Sequence, residues 1–170
     1  MKAILMKDTL SPALFRMLSR VRDRASLMMA IGQRARDMAV EAFTDPSKRV
    51  APWPAKKDGS AATLYYRGVL KQSLRLIGFD NDSATVGSDR PYAAIHQLGG
   101  RTSPHVIKPS EAMALHFRVG PKSYYATQVN HPGSVIPARP YFPIDAQGNL
   151  HPEMKADAAD MVRQHLELSR

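Results

Sequence analysis

Met113-Ala114-Leu115-His116-Phe117-Arg118-Val119 alternates strictly: Met113, Leu115, Phe117 and Val119 fall on one side, Ala114, His116 and Arg118 on the other. A period of two predicts a strand with one buried face. Gly120-Pro121-Lys122 supplies a turn, and Ser123 to Val129, with Tyr124, Tyr125, Thr127 and Val129, reads as the returning strand. A second hairpin is expected upstream. In Val69 to Ile77, Leu70, Leu74 and Leu76 share one face while Lys71, Ser73 and Arg75 share the other, although the first residues also suit a helix. Asp80-Asn81-Asp82 is the turn, because short polar side chains bond their own backbone there. Ser83 to Gly87 returns.

Helices flank these hairpins. Ser11-Pro12 reads as a helix start, followed by Leu14, Met17, Leu18 and Val21 at spacings of three and four. A second helix is predicted from about Arg24 to Phe43, with Met28, Ile31, Ala35, Met38, Ala39, Ala42 and Phe43 as its apolar stripe and Pro46 beyond its end. A last helix follows Pro152, lined by Met154, Ala158, Met161, Val162 and Leu166. Its acids lie early (Glu153, Asp157, Asp160) and its bases late (Arg163, His165, Arg170), the order the helix dipole favours. The whole predicts a single α+β domain over residues 1–170: an N-terminal helical pair and a C-terminal helix packed on an antiparallel sheet of hairpins. Residues 45–62 and 130–148, rich in proline, read as mobile loops. Trp53, between Pro52 and Pro54, either folds back on the core or anchors a partner.

Composition narrows the function classes. At 170 residues the chain has room for one sizeable core, and 44% hydrophobic content argues against wholesale disorder. No apolar run approaches the roughly 20 residues of a bilayer span, and Met1 to Asp8 meets a charge too soon for a signal-peptide core. A soluble cytosolic protein is the expectation. The absence of cysteine removes disulfides and thiolate chemistry. A net charge of +9 suits nucleic acid, an acidic partner or solubility, and no long lysine run concentrates it.

Catalytic patterns are missing. The six histidines form no HExxH, and no GxSxG, GxGxxG or GxxxxGK occurs. Asp80-Asn81-Asp82 lacks the glycine and distal glutamate of a calcium loop. Basic residues interleave with aromatics only briefly, at Tyr65-Tyr66-Arg67 and Lys122-Ser123-Tyr124-Tyr125. Gly99-Gly100 reads as a backbone turn. Arg139 suits a two-pronged carboxylate contact, either across subunits or as an intrachain pair that pins its loop.

One further pattern spans the chain. Tyr92-Ala93-Ala94-Ile95-His96-Gln97-Leu98-Gly99-Gly100 is answered by His131-Pro132-Gly133-Ser134 and Ile136-Pro137-Ala138-Arg139-Pro140-Tyr141-Phe142. Before it come Ala42-Phe43, Asp45-Pro46, Trp53-Pro54, the run from Gly68 to Leu74, and Val86-Gly87-Ser88. In order and spacing these resemble the Mu-like phage virion morphogenesis family, also called tail completion proteins. The resemblance implies a structural role in tail completion or head–tail joining, in a free phage or a prophage. It implies no enzyme and no cofactor; the histidine spacing, for its part, predicts no metal site. Partners would be other tail or connector proteins and copies of the chain in a ring, with a monomer when free and no membrane. The place would be the virion and, during assembly, the host bacterial cytoplasm. Trp53, Tyr92, His96, Gln97, Arg101, Arg139, Tyr141 and Phe142 are the expected contact residues, with Gly99, Gly100, Gly133, Pro137 and Pro140 shaping the loops. The alternatives are a basic protein touching nucleic acid at the genome exit and, behind it, a hydrolase using His96 or His131.

Overall fold

A computed structural model describes residues 10–110 and 112–167. The opening Met1 to Asp8 and Arg170 lie outside them. Helix α1 (Leu10–Arg22) is followed by α2 (Ala25–Glu41), a 3-10 turn (Pro46–Lys48) and the single helical turn α3 (Val69–Gln72). Strands β1 (Arg75–Phe79) and β2 (Ala84–Gly87) come next, then α4 (Ala93–Leu98). Six short strands follow: β3 (Gly100–Arg101), β4 (His105–Ile107), β5 (Leu115–Val119), β6 (Lys122–Ala126), β7 (Val129–His131) and β8 (Val135–Ile136). Helix α5 (Pro152–Leu166) closes the described chain. Helices with antiparallel strand pairs make this an α+β fold. The strands form four separate two-stranded ladders: β1–β2, β3–β8, β4–β7 and β5–β6.

Helix α2 is the centre. One side packs on the β1–β2 hairpin and another on α5. Gly32 permits the first approach, since a Cβ there would lie 2.6 Å from Leu76 Cδ1 and 2.9 Å from Ala84 Cβ. A mid-helix glycine costs roughly 1 kcal/mol against alanine, so its presence marks close packing. Farther along, Ala39, Ala42 and Phe43 meet Leu70, Leu74, Ala93 and Tyr141 in the main buried cluster. Leu70 and Leu74 are both buried, but not as strand neighbours. The first half of the expected Val69–Ile77 strand is α3, which carries Leu70, while Leu74 lies in the link between α3 and β1.

Arg34 joins α2 to α5. Its guanidinium reaches Asp157 (2.6 Å), Glu153 (3.0 Å) and Glu41 (3.2 Å), and Lys48 also holds Glu153 at 2.5 Å. His151 accepts from the Glu153 N–H at the start of α5, with Pro152 in the first turn. At the other end of α5, Arg20 donates to the carbonyls of His165 and Glu167, and His165 Nε2 bonds the Arg20 carbonyl at 3.0 Å. The last turn of a helix leaves such carbonyls free, and an arginine side chain satisfies them.

The turn at Asp80 forms as its sequence dictates. The Asp80 carboxylate accepts from the Asp82 and Ser83 N–H groups, both at 2.8 Å, and those bonds hold its pKa below the ordinary carboxylate range. The alternating run before Gly120 also forms its hairpin, as β5–β6 in register Leu115↔Ala126 to Val119↔Lys122. Its predicted buried face is a correction. Met113 is 96% exposed and Val119 61%, with Phe117 also open to solvent. The hairpin stands out from the body, steadied by its own ring pairs Phe117–Tyr124 (5.8 Å) and His116–Tyr125 (4.8 Å). Alternation separates two faces and says nothing about what covers either. Val129 is a second correction. It leaves the returning strand and pairs with Ile107 in β4–β7.

Candidate functional site

The two halves of the long sequence pattern meet in space. Helix α4 carries the first half, and the irregular segment after β8 lies along it. The Arg139 N–H donates to the His96 carbonyl (2.8 Å). Gln97 Oε1 accepts from the N–H groups of both Tyr141 (2.9 Å) and Phe142 (3.0 Å). Tyr141 Oη donates to the Ala93 carbonyl at 3.0 Å. Burial pushes the Tyr141 phenol up to about 12, which keeps its proton available for that bond.

Glycine makes the approach possible. Gly99 sits at φ +72°, and a Cβ there would fall 2.8 Å from the Ala138 nitrogen. Gly133 sits at φ +84°, and its Cβ would fall 2.1 Å from the Thr102 carbonyl oxygen. Left-handed backbone without room for a side chain leaves glycine as the only fit. Gly100 then pairs with Ile136 in β3–β8, ahead of Pro137 and Pro140.

The loop around Trp53 closes the assembly. Trp53 Nε1 donates to the Pro140 carbonyl (2.7 Å), and its ring meets Phe43 edge-on at 6.0 Å. Arg49 lies over the other part of the ring at 3.8 Å. Arg139 donates from Nε to the Pro54 carbonyl and from Nη2 to the Ala55 carbonyl, each at 3.0 Å. The two proline-rich loops therefore hold each other.

Several expected contact residues thus face inward. Trp53 packs on the core and Tyr141 is fully buried, whereas Arg139, 9% exposed, keeps only an edge at the wall of a neighbouring cavity. Arg139 pins its loop, as one expectation had it, but through carbonyl oxygens and not a carboxylate. Gln97 is an internal staple, and Phe142 packs against the core cluster. Tyr92 and Arg101 remain exposed. His96 rests edge-on against Tyr92 (6.0 Å), whereas His131 stacks on His105 (5.0 Å). The His96 Nδ1 is buried and, among the described residues, has no hydrogen-bond partner. Burial first, and the Arg139 cation second, hold its pKa below the usual imidazole value. Among the described residues no group of three or more His, Asp or Glu is placed to hold a metal ion, and no helix is long and apolar enough to cross a membrane. The Arg34 network and the Gln97 staple were missed in the sequence, because each depends on which elements pack together.

A cavity of about 590 Å³ opens beside this assembly, walled by Lys56, Leu64, Tyr65, Tyr66, Tyr92 and Arg139 among others. What the residues define is a braced structural module of α+β type, in which a motif of high apparent specificity serves to lock loops together. The chain belongs to the phage virion morphogenesis family, which matches residues 6–167. No curated protein and no solved structure matches it.

Proposed function

We propose that the chain is an architectural part of a tailed-phage particle, acting in tail completion or head–tail joining. It does so through contacts with other tail or connector proteins and with its own copies in a ring. It has no enzymatic role in this reading, and it works as one domain that is monomeric before assembly in the host cytoplasm. Membership of the phage virion morphogenesis family supports the coarse role. The observation that carries the finer one is a pair of uncovered apolar elements. Helix α1 exposes Leu14, Phe15, Leu18 and Val21, with Phe15 at 72% and Leu18 at 51%. The β5–β6 hairpin exposes Met113, Val119 and Tyr125. Single exposed apolar residues are ordinary, but a contiguous helix face and a projecting aromatic arm mark surfaces that a partner covers.

Contact with nucleic acid at the genome exit finds less support. Four of the N-terminal bases that would serve it are engaged within the chain. Arg20 caps α5, Arg24 pairs with Asp82, and Arg34 and Lys48 hold the acids of α5. The test is complementation of a phage lacking the gene with Phe15→Glu and Leu18→Glu. Because both side chains are exposed, the variants should fold normally yet give few infectious particles. Full infectivity from both would remove α1 as an assembly surface. Steep salt-dependent retention of the wild-type on duplex DNA would favour the nucleic-acid reading.

A further inference from the structure

The cavity beside α4 is lined by two cations, Arg139 and Lys56, and the nearest acid, Asp58, acts on Lys56 only from beyond ion-pair distance. Arg139 is 9% exposed, and its Nε and Nη2 reach only the neutral Pro54 and Ala55 carbonyls. Neither Arg139 nor Lys56 has a carboxylate within ion-pair distance among the described residues. Among the described residues no acidic side chain lines the space. The bias extends beyond the wall: residues 91–144 hold five Lys and Arg and only one acid, Glu111. A guanidinium so far removed from water calls for a negative partner, because dipoles alone compensate it incompletely.

The remaining lining is aromatic and apolar. Tyr66 is 78% exposed, and Tyr65 and Tyr92 also reach solvent beside Leu64, Val69 and Leu70. Tyrosines around an apolar floor are a common composition for the centre of a protein contact. The segment that forms one wall is held in a costly conformation, with the lining residue Leu64 at φ +48° and Arg67, which follows Tyr66 but does not line the space, at φ +55°. Non-glycine residues adopt that region rarely, and such strain collects at ligand-holding segments. The volume lies in the range of clefts that seat a few side chains.

We propose that this cavity seats an acidic segment of a neighbouring virion protein, with its carboxylate against Arg139 and Lys56 and an adjacent apolar side chain among Tyr65, Tyr66 and Tyr92. The inference rests on the reading that the chain works by contact with other virion proteins, and it assigns one such contact to a place and a chemistry. It is separate from the α1 face and the β5–β6 arm.

The test uses the full chain and three labelled probes, followed by fluorescence anisotropy. The first is an acetylated, amidated peptide built on leucine–aspartate–phenylalanine. The second replaces aspartate with asparagine, and the third is a short single-stranded oligothymidine. The acidic peptide should bind, and the asparagine peptide should bind about ten-fold more weakly or worse. Lys56→Glu and Tyr66→Ala, both at exposed positions, should each weaken the acidic peptide by a similar factor while leaving the melting temperature unchanged. Equal binding of the two peptides, no binding of either, or a preference for the oligonucleotide would overturn the proposal. So would full peptide affinity in Lys56→Glu. If the peptide arm fails while Leu18→Glu still blocks particle assembly, only this inference falls. If peptide binding holds while Leu18→Glu assembles normally, the inference stands and the α1 surface falls.

Discussion

Gln97→Leu is the sharpest probe of the motif's internal role. One oxygen, Gln97 Oε1, satisfies two backbone donors, the N–H groups of Tyr141 and Phe142 at 2.9 and 3.0 Å. Leucine keeps the size and removes the acceptor. Each orphaned buried N–H costs about 1–3 kcal/mol. Gln97 is half-buried, so water recovers part of this, and the expected loss is about 2–3 kcal/mol. For a chain of this length roughly 2–4 °C is lost per kcal/mol, so the melting temperature should fall by about 5–10 °C. Gln97→Glu retains an oxygen at the same reach and should stay within about 1 kcal/mol of the wild-type. Urea denaturation followed by circular dichroism reads both. If Gln97→Leu lies within about 0.5 kcal/mol of the wild-type, or Gln97→Glu is as damaging as leucine, the staple contributes nothing and the residue is free for another role.

Other expected outcomes follow from the same geometry. Gly133→Ala adds a Cβ 2.1 Å from the Thr102 oxygen at φ +84°, and should lose more than about 3 kcal/mol by urea denaturation; Gly59→Ala, at φ +79° with nothing within 4 Å, should lose only about 1. Arg34→Gln breaks the tie between α2 and α5 and should destabilise by about 1–2 kcal/mol, a gap that narrows in high salt because the partners are partly exposed. His96, held below its ordinary pKa by burial and by Arg139, takes up a proton in the unfolded chain first as pH falls. Its contribution is therefore full above about pH 6.5 and lost as pH drops through the folded value, so melting temperature should fall more steeply with acid in the wild-type than in His96→Gln.

Much of the architecture was legible because it is local. The stripe through Met38 and Ala39 is a helix by spacing alone, with Ala42 and Phe43 just past its end, and the Asp80 turn follows from one carboxylate reaching two N–H groups. The β5–β6 hairpin was equally legible as an element. Its projection from the body was not, since Met113 and Val119 alternate in the same way whether or not something lies over them. Leu70 and Leu74 misled for a related reason: a spacing of four satisfies a strand face and a helix face alike. At the site, the residues were readable and their direction was not. Arg139 and Trp53 have the chemistry of contact residues, and only the meeting of two loops some eighty positions apart turns them inward. The Arg34 network was invisible because its acids come from α5, and nothing in α2 names that neighbour.

Particles made without this protein give the most direct test of an architectural role. Electron microscopy and titre of virions from a phage with the gene deleted should show tails with aberrant ends or heads left unjoined, and infectivity should return when the intact chain is supplied. Normal, infectious virions from the deletion would contradict an architectural role.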